Sequence, residues 1–498
     1  MLTRRSLLQA AAALPAAALA PAWATGDGLV RTPFGGAPEL QPLRGWLDGQ
    51  DRLAEGLRLQ GRWPAELRGT LYRNGPGLME RAGQRYRHWF DGDGLVQAWQ
   101  LGAQGFSYQA RFVRTPKFVA EQEAGEFLLP AFGTAVPAKR PLRRSDDVNT
   151  ANTSVMLQGG RLYALWEGGS ATELDPQTLH TRGPQTWAPE LQGMPFSAHP
   201  KREPDGRLWN FGSFGGKLVI YEIDAAGGLK RWKLLDMAVP AMLHDFAITE
   251  RYLVFLLPPL SLDLAAVRAG RSMVGAMRWQ AEQGNRVLVI DKADLSERAQ
   301  LQMPAELVFH FGNAWDDGQG VIRLDYVHAD IDEFLDGRFN TMLQGQRPEA
   351  FGESGPRLLR IDLPRQRLDL VKREETTEFP QVDPRVVARR YRYVYAPARH
   401  GLAPGWGFNA VQRLDLERGA VERFVFPREV VIEEQLLVPK PGSRREGQGW
   451  LLGTGFDVAR QRSFCTVFEA EALSAGPLAT VWLPYWAPLG FHGAFVPS

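Results

Sequence analysis

Only one cysteine, Cys465, occurs in the 498 residues, which excludes an internal disulfide framework. It lies in the apolar stretch Phe464-Cys465-Thr466-Val467-Phe468, the setting of a buried structural thiol rather than of a nucleophile. An excess of one charge is also lacking. Lys plus Arg number 58 against 56 Asp plus Glu, a net of +2, so no electrostatic footprint for nucleic acid exists. The local run Lys139-Arg140-Pro141-Leu142-Arg143-Arg144 reads as a solvated loop, or as a contact to anionic lipid. Beyond the N-terminus no stretch approaches the roughly eighteen apolar residues of a membrane-spanning helix. A Gly-rich dinucleotide fingerprint between a strand and a helix is missing as well, which speaks against a nicotinamide or flavin cofactor. Helical periodicity is scarce, with 262–282 and 117–129 as the two candidates.

What is plentiful is punctuation and aromatic surface: 52 Gly, 35 Pro, 15 Trp and 26 Phe. After residue 60, short apolar runs alternate with turn signals. Examples are Gly69-Thr70-Leu71-Tyr72, Arg161-Leu162-Tyr163-Ala164-Leu165, Lys217-Leu218-Val219-Ile220-Tyr221, Arg286-Val287-Leu288-Val289-Ile290, Arg357-Leu358-Leu359-Arg360-Ile361 and Gly449-Trp450-Leu451-Leu452. Such runs read as strands. Their recurrence without a strict repeat predicts an all-β fold, a β-propeller with degenerate blades rather than a sandwich. No low-complexity linker interrupts it, so 61–498 reads as one domain preceded by an N-terminal arm at 25–60.

Residues 1–24 read as an address. Arg4-Arg5-Ser6-Leu7-Leu8 precedes a short Ala/Leu segment and a small-x-small cleavage site at Ala22-Trp23-Ala24. This is a secretory pattern, and the paired arginines make it the twin-arginine type. It predicts an exported, periplasmic protein.

Four of the eight histidines share similar surroundings: Ala198-His199-Pro200, Leu243-His244-Asp245, Phe309-His310-Phe311 and Phe491-His492-Gly493. Imidazole suits iron, zinc and copper. The wide spacing of the four excludes a zinc finger or a His-Glu-x-x-His helix, whose ligands lie close in sequence. It suits a propeller, whose blades each bring one strand to a common axis. Taken singly, each of these histidines is more often a core residue than a ligand; His88, His180, His328 and His400 are left as such.

Several motifs, in order, resemble the carotenoid cleavage oxygenases. They are Leu67-Arg68-Gly69-Thr70-Leu71-Tyr72-Arg73-Asn74-Gly75-Pro76, His88-Trp89-Phe90-Asp91-Gly92-Asp93-Gly94, Arg111-Phe112-Val113-Arg114-Thr115, Ala151-Asn152-Thr153-Ser154 and the four histidine segments. The resemblance implies a seven-bladed β-propeller with a loop and helix cap and an apolar tunnel. It implies Fe(II) held by His199, His244, His310 and His492, and oxidative cleavage of a conjugated C=C bond by O₂. Three glutamates that orient ligand imidazoles fall by local match on Glu167, Glu378 and Glu446. Thr153 falls where relatives place a threonine beside an open iron position.

Stilbene-cleaving relatives bind the substrate phenol through a Tyr and a Lys. This chain has Phe112 at the Tyr position and no Lys in 145–150, which favours a carotenoid or apocarotenoid. The alternatives are a stilbenoid or phenylpropenoid dioxygenase, an isomerase of the same fold, and a non-catalytic propeller binding an apolar ligand. Phe127–Phe132 and Leu256–Met277 are expected at a tunnel mouth that touches a membrane.

Overall fold

A computed structural model of the protein describes residues 27–34, 43–47, 49–102, 105–336, 338–346, 354–401 and 407–498. The expected signal at 1–24 lies outside them. Seven antiparallel sheets of three to five strands follow one another along the chain. They are the blades of a β-propeller, in agreement with the expected all-β architecture.

The second blade is built from Ser154–Gln158, Arg161–Leu165, Thr172–Leu174 and Thr181–Pro184. The third begins at Lys201–Arg202, the fourth at Ala247–Ile248, the fifth at Leu307–Asp316, the sixth at Tyr393–Ala398 and the seventh at Val430–Pro439. Each opening strand is an edge strand of its sheet. Central strands such as Tyr252–Leu257 and Gly449–Asp457 are buried along their whole length. They pack on both faces against neighbouring blades, which explains their continuous rather than alternating apolar character.

The first blade closes the ring. Its Gly69–Leu78 strand pairs with the C-terminal strand His492–Pro497, from Gly69 opposite Pro497 to Asn74 opposite His492. The arm expected at 25–60 supplies edge strands to the ring. Arg52–Ala54 pairs with the first blade and Arg58–Gly61 with Ala479–Trp482 of the seventh.

Both predicted helices shrink to short ones. Pro116–Ala124 is capped by Thr115, whose side chain accepts the Phe118 N–H, and ends at Gly125, whose φ of 68° is left-handed. In 262–282 only Leu264–Arg268 is α-helical, capped by Asp263. Gly270 then adopts φ 95°, and Met277–Trp279 returns to pair with Leu260–Leu262. Among the described residues no helix is long and apolar enough to cross a membrane.

Candidate metal centre

The four histidines that the sequence singled out come together. Their ligating nitrogens lie within 4.8 Å of one another, and all four residues are buried. His244 Nε2 stands 2.9 Å from His199 Nε2 and 3.2 Å from His310 Nε2, and His310 Nε2 stands 3.1 Å from His492 Nε2. Each sits at an opening or closing edge strand. His199 and His244 immediately precede the third and fourth blades, His310 lies within the first strand of the fifth, and His492 begins the C-terminal strand.

Backbone irregularity aims two of the groups. The strand carrying His310 slips register between Val308 and Phe311 and again before Ala314. That bulging turns a side chain that regular alternation would place elsewhere. Close by, Gly312 packs so tightly on Asp325 that a Cβ would lie 2.1 Å from its Oδ2. Asp245 steadies the same region by accepting the Phe311 N–H at 2.8 Å and pairing with Lys201 at 2.8 Å.

Three carboxylates back the imidazoles. Glu167 Oε2 lies 2.6 Å from His244 Nδ1, Glu378 Oε2 lies 2.5 Å from His310 Nδ1, and Glu434 Oε1 lies 2.8 Å from His492 Nδ1. The first two are where the sequence placed them; the third is a correction. Glu446 instead accepts the backbone N–H groups of Arg392 and Tyr393. Glu434 lies on the first strand of the seventh blade, at a bulge between Ile432 and Gln435. It is held by Arg73 Nη1 at 2.7 Å, by Gln381 Nε2 at 2.8 Å and by the Gly493 N–H at 2.7 Å. Burial would raise its pKa, but His492 and Arg73 pull it below the usual value. The sequence signal for it was Glu433-Glu434-Gln435, polar residues interrupting the apolar strand Val430–Pro439. The groups are thus distributed one to a blade: histidines from the first, third, fourth and fifth, glutamates from the second, sixth and seventh.

This pattern decides the protonation of three rings. A carboxylate at Nδ1 requires the proton there, so Nε2 presents a lone pair. Three lone pairs converging at about 3 Å repel unless a cation lies among them. Nitrogens bound at about 2.1 Å stand about 3.0 Å apart at right angles, against about 3.4 Å in a tetrahedron. Three of the observed spacings, 2.9, 3.2 and 3.1 Å, fall in the range that a shared metal ion would bridge. Burial also depresses the pKa of His199, helped by the neighbouring imidazoles, and holds that of His492 at about 4. Both are therefore neutral, as ligands must be. The donor set suits a metal ion.

The rings His244, His310 and His492 form part of the wall of a cavity of about 650 Å³. Phe90, Phe132, Phe309, Phe334, Phe379 and Phe491 supply much of the remainder. Phe309 lies over His244 with centroids 4.3 Å apart, and Phe379 lies 5.3 Å from His310. Phe379 has φ 53°, an uncommon conformation for an aromatic residue, held beside the site by its N–H bond to Glu378. Thr153 lines the same cavity, its hydroxyl 3.1 Å from Asn152 Oδ1. So does His88, which the sequence reading left aside. Its Nδ1 accepts the Phe90 N–H, and burial lowers its pKa to about 3, so the ring is neutral. Val148 lines the cavity, whereas Phe112 stacks on Phe118 with centroids 4.9 Å apart. Of the segment 127–132, Phe127, Leu128 and Leu129 are buried in packing, while Phe132 lines the cavity.

The family model of the retinal pigment epithelial membrane protein, RPE65, matches residues 48–497. The chain belongs to the RPE65 and carotenoid cleavage oxygenase family. Among relatives of this family, the apocarotenoid-15,15'-oxygenase of Synechocystis is 32% identical over 460 residues, covering 88% of this chain and 92% of that one. The isoeugenol monooxygenase of Pseudomonas nitroreducens is 28% identical, covering 89% and 94%. The lignostilbene-alpha,beta-dioxygenase isozyme III of Sphingomonas paucimobilis is also 28% identical, covering 88% and 92%. The structure of cobalt-substituted Synechocystis apocarotenoid oxygenase superposes with a TM-score of 0.82 at 28% identity, covering 93% of this chain and 99% of that one. The protein is an enzyme of the alkene-cleaving dioxygenase type.

Proposed function

We propose that His199, His244, His310 and His492 hold iron(II), and that the enzyme cleaves a conjugated double bond of a linear apocarotenoid or carotenoid. The observation that carries this reading is the aromatic cavity opening directly onto three of the four converging imidazoles. Bound iron(II) would supply electrons to dioxygen as the alkene supplies the rest, and both oxygen atoms would end on the separated carbons as carbonyls. The chain's own groups do the remainder. Glu167, Glu378 and Glu434 keep the Nδ1 protons in place and the Nε2 lone pairs turned inward. The phenylalanines hold a flat conjugated chain against the imidazoles and exclude water. Thr153 narrows the approach of water and O₂ to that centre.

The name of the 32% identical relative supports an apocarotenoid, and no Tyr or Lys is among the described lining residues to meet a phenol. The isoeugenol and lignostilbene relatives favour the second reading, a stilbenoid or phenylpropenoid substrate. Iron-loaded protein incubated with an apocarotenal and, separately, with a hydroxystilbene separates the two by mass spectrometry of the aldehydes. Aldehydes from the apocarotenal support the proposal; aldehydes from the stilbene alone overturn it. The twin-arginine pattern supports export to the periplasm. Exposed Leu264 and Met273, near Arg268 and Arg271, support a peripheral membrane contact.

A further inference from the structure

The basic run at 139–144 has no part in the chemistry so far, and the structure divides it. Lys139 pairs with Glu126 at 2.6 Å on the surface. Arg143 and Arg144 instead line the cavity while remaining exposed; of the other described lining residues only Gly215 and Met273 are also exposed. The cavity therefore meets solvent at a rim that carries two guanidinium groups.

The loop that presents them is braced. Asp147 Oδ2 accepts the backbone N–H of Arg143 at 2.8 Å and of Arg144 at 3.3 Å, and Ser145 donates to the Gly193 carbonyl at 3.1 Å. Asp146 fixes the other side through the Ser170 N–H and hydroxyl, both at 2.8 Å. Arg144 Nε lies 3.4 Å from Asp147. Among the described residues no carboxylate forms an ion pair with Arg143. Half-buried Leu142, Val148, Met194 and Phe214 also line the cavity.

We propose that Arg143 and Arg144 receive the anionic end of the substrate, so that the preferred substrate is a linear polyene ending in a carboxylate. This rests on the polyene cleavage proposed above and adds its end-group chemistry. A guanidinium fork matches a carboxylate in a bidentate pair. Placed at the low-dielectric mouth of an apolar cavity, an uncompensated cation draws an anion more strongly than in open water. Fixing one end of a rigid conjugated chain also fixes how far it reaches, and hence which double bond faces the imidazoles. An anionic lipid headgroup has similar chemistry, and the test distinguishes it.

Metal-loaded protein, kept free of oxygen, is titrated with an all-trans polyene carboxylic acid and with the matching alcohol. Binding is followed by quenching of tryptophan fluorescence, since Trp89 and Trp166 line the cavity. At low salt the acid is expected to bind about threefold to fivefold tighter than the alcohol, with the advantage falling as salt is added. The acid-to-alcohol ratio should fall to unity in the Arg143→Gln/Arg144→Gln double variant and be partly kept in the Arg143→Lys/Arg144→Lys double variant. A ratio of one in the wild type, or a ratio that survives the glutamines, overturns the inference alone. Binding of neither polyene overturns the polyene reading and this inference with it. If the Arg143→Gln/Arg144→Gln variant loses cosedimentation with phosphatidylglycerol vesicles while the ratio holds, the arginines serve a lipid surface and the inference fails.

Discussion

Which glutamate backs which ring sets the charge, tautomer and aim of each ligand. Glu434 and Glu446 offer a direct comparison, because the sequence favoured one and the structure the other. Glu434→Gln keeps the shape but weakens the acceptor at His492 Nδ1. Metal affinity, measured by competition with a chelator, is expected to fall about 10- to 100-fold. Glu446→Gln loosens the bonds to the Arg392 and Tyr393 N–H groups and touches no ring. It should leave that affinity unchanged and cost about 1 kcal/mol of stability in a denaturant melt. The four histidines, Glu167 and Glu378 were legible because each sits in a distinctively spelled segment. Glu434 was not, because the bulge between Ile432 and Gln435 that turns it inward leaves no mark on the sequence. Glu446, in Glu446-Gly447-Gln448-Gly449-Trp450, looked like a site while being a turn brace.

The strands themselves were readable, since every apolar run quoted from the sequence lies in a strand. Their ends were not. Helix 117–129 stops early because Gly125 takes a left-handed conformation, and 262–282 breaks where Gly270 turns at φ 95° and Met277–Trp279 pairs back with Leu260–Leu262. The bulges at His310 and Glu434 were invisible, as a single extra residue leaves no mark on alternation. Gly312 is the place to probe the first. In Gly312→Ala the new methyl would collide with Asp325, which also accepts the Asn313 N–H at 3.0 Å. Relief of that collision is expected to cost about 1–3 kcal/mol and to shift His310. Thermal melting should show the first effect and a lowered metal content the second, whereas a variant with unchanged metal content would show that the bulge does not aim the ring.

Around the whole ring, closure depends on both chain ends. The segment before residue 61 reads as an arm, since its role as edge strands is a long-range pairing that no local pattern announces. Deleting the chain through Gly61 removes no ligand and no backing glutamate, but it takes away the edge strands on the first and seventh blades and the fully buried Leu43 and Trp46. A loss of at least about 3 kcal/mol in a urea melt is expected, at about 1.5–3 kcal/mol for each large apolar side chain taken from the core. An unchanged midpoint would mean that the fastening strands are dispensable. The allotment of one inward group to each blade reaches further. An ion gripped there is tied, directly or through one carboxylate, to every sector of the circle. A fragment of a few blades cannot rehearse the grip. The chain cannot gain or lose a blade without disturbing it, so tolerated insertions should be confined to the outer rim and the cap.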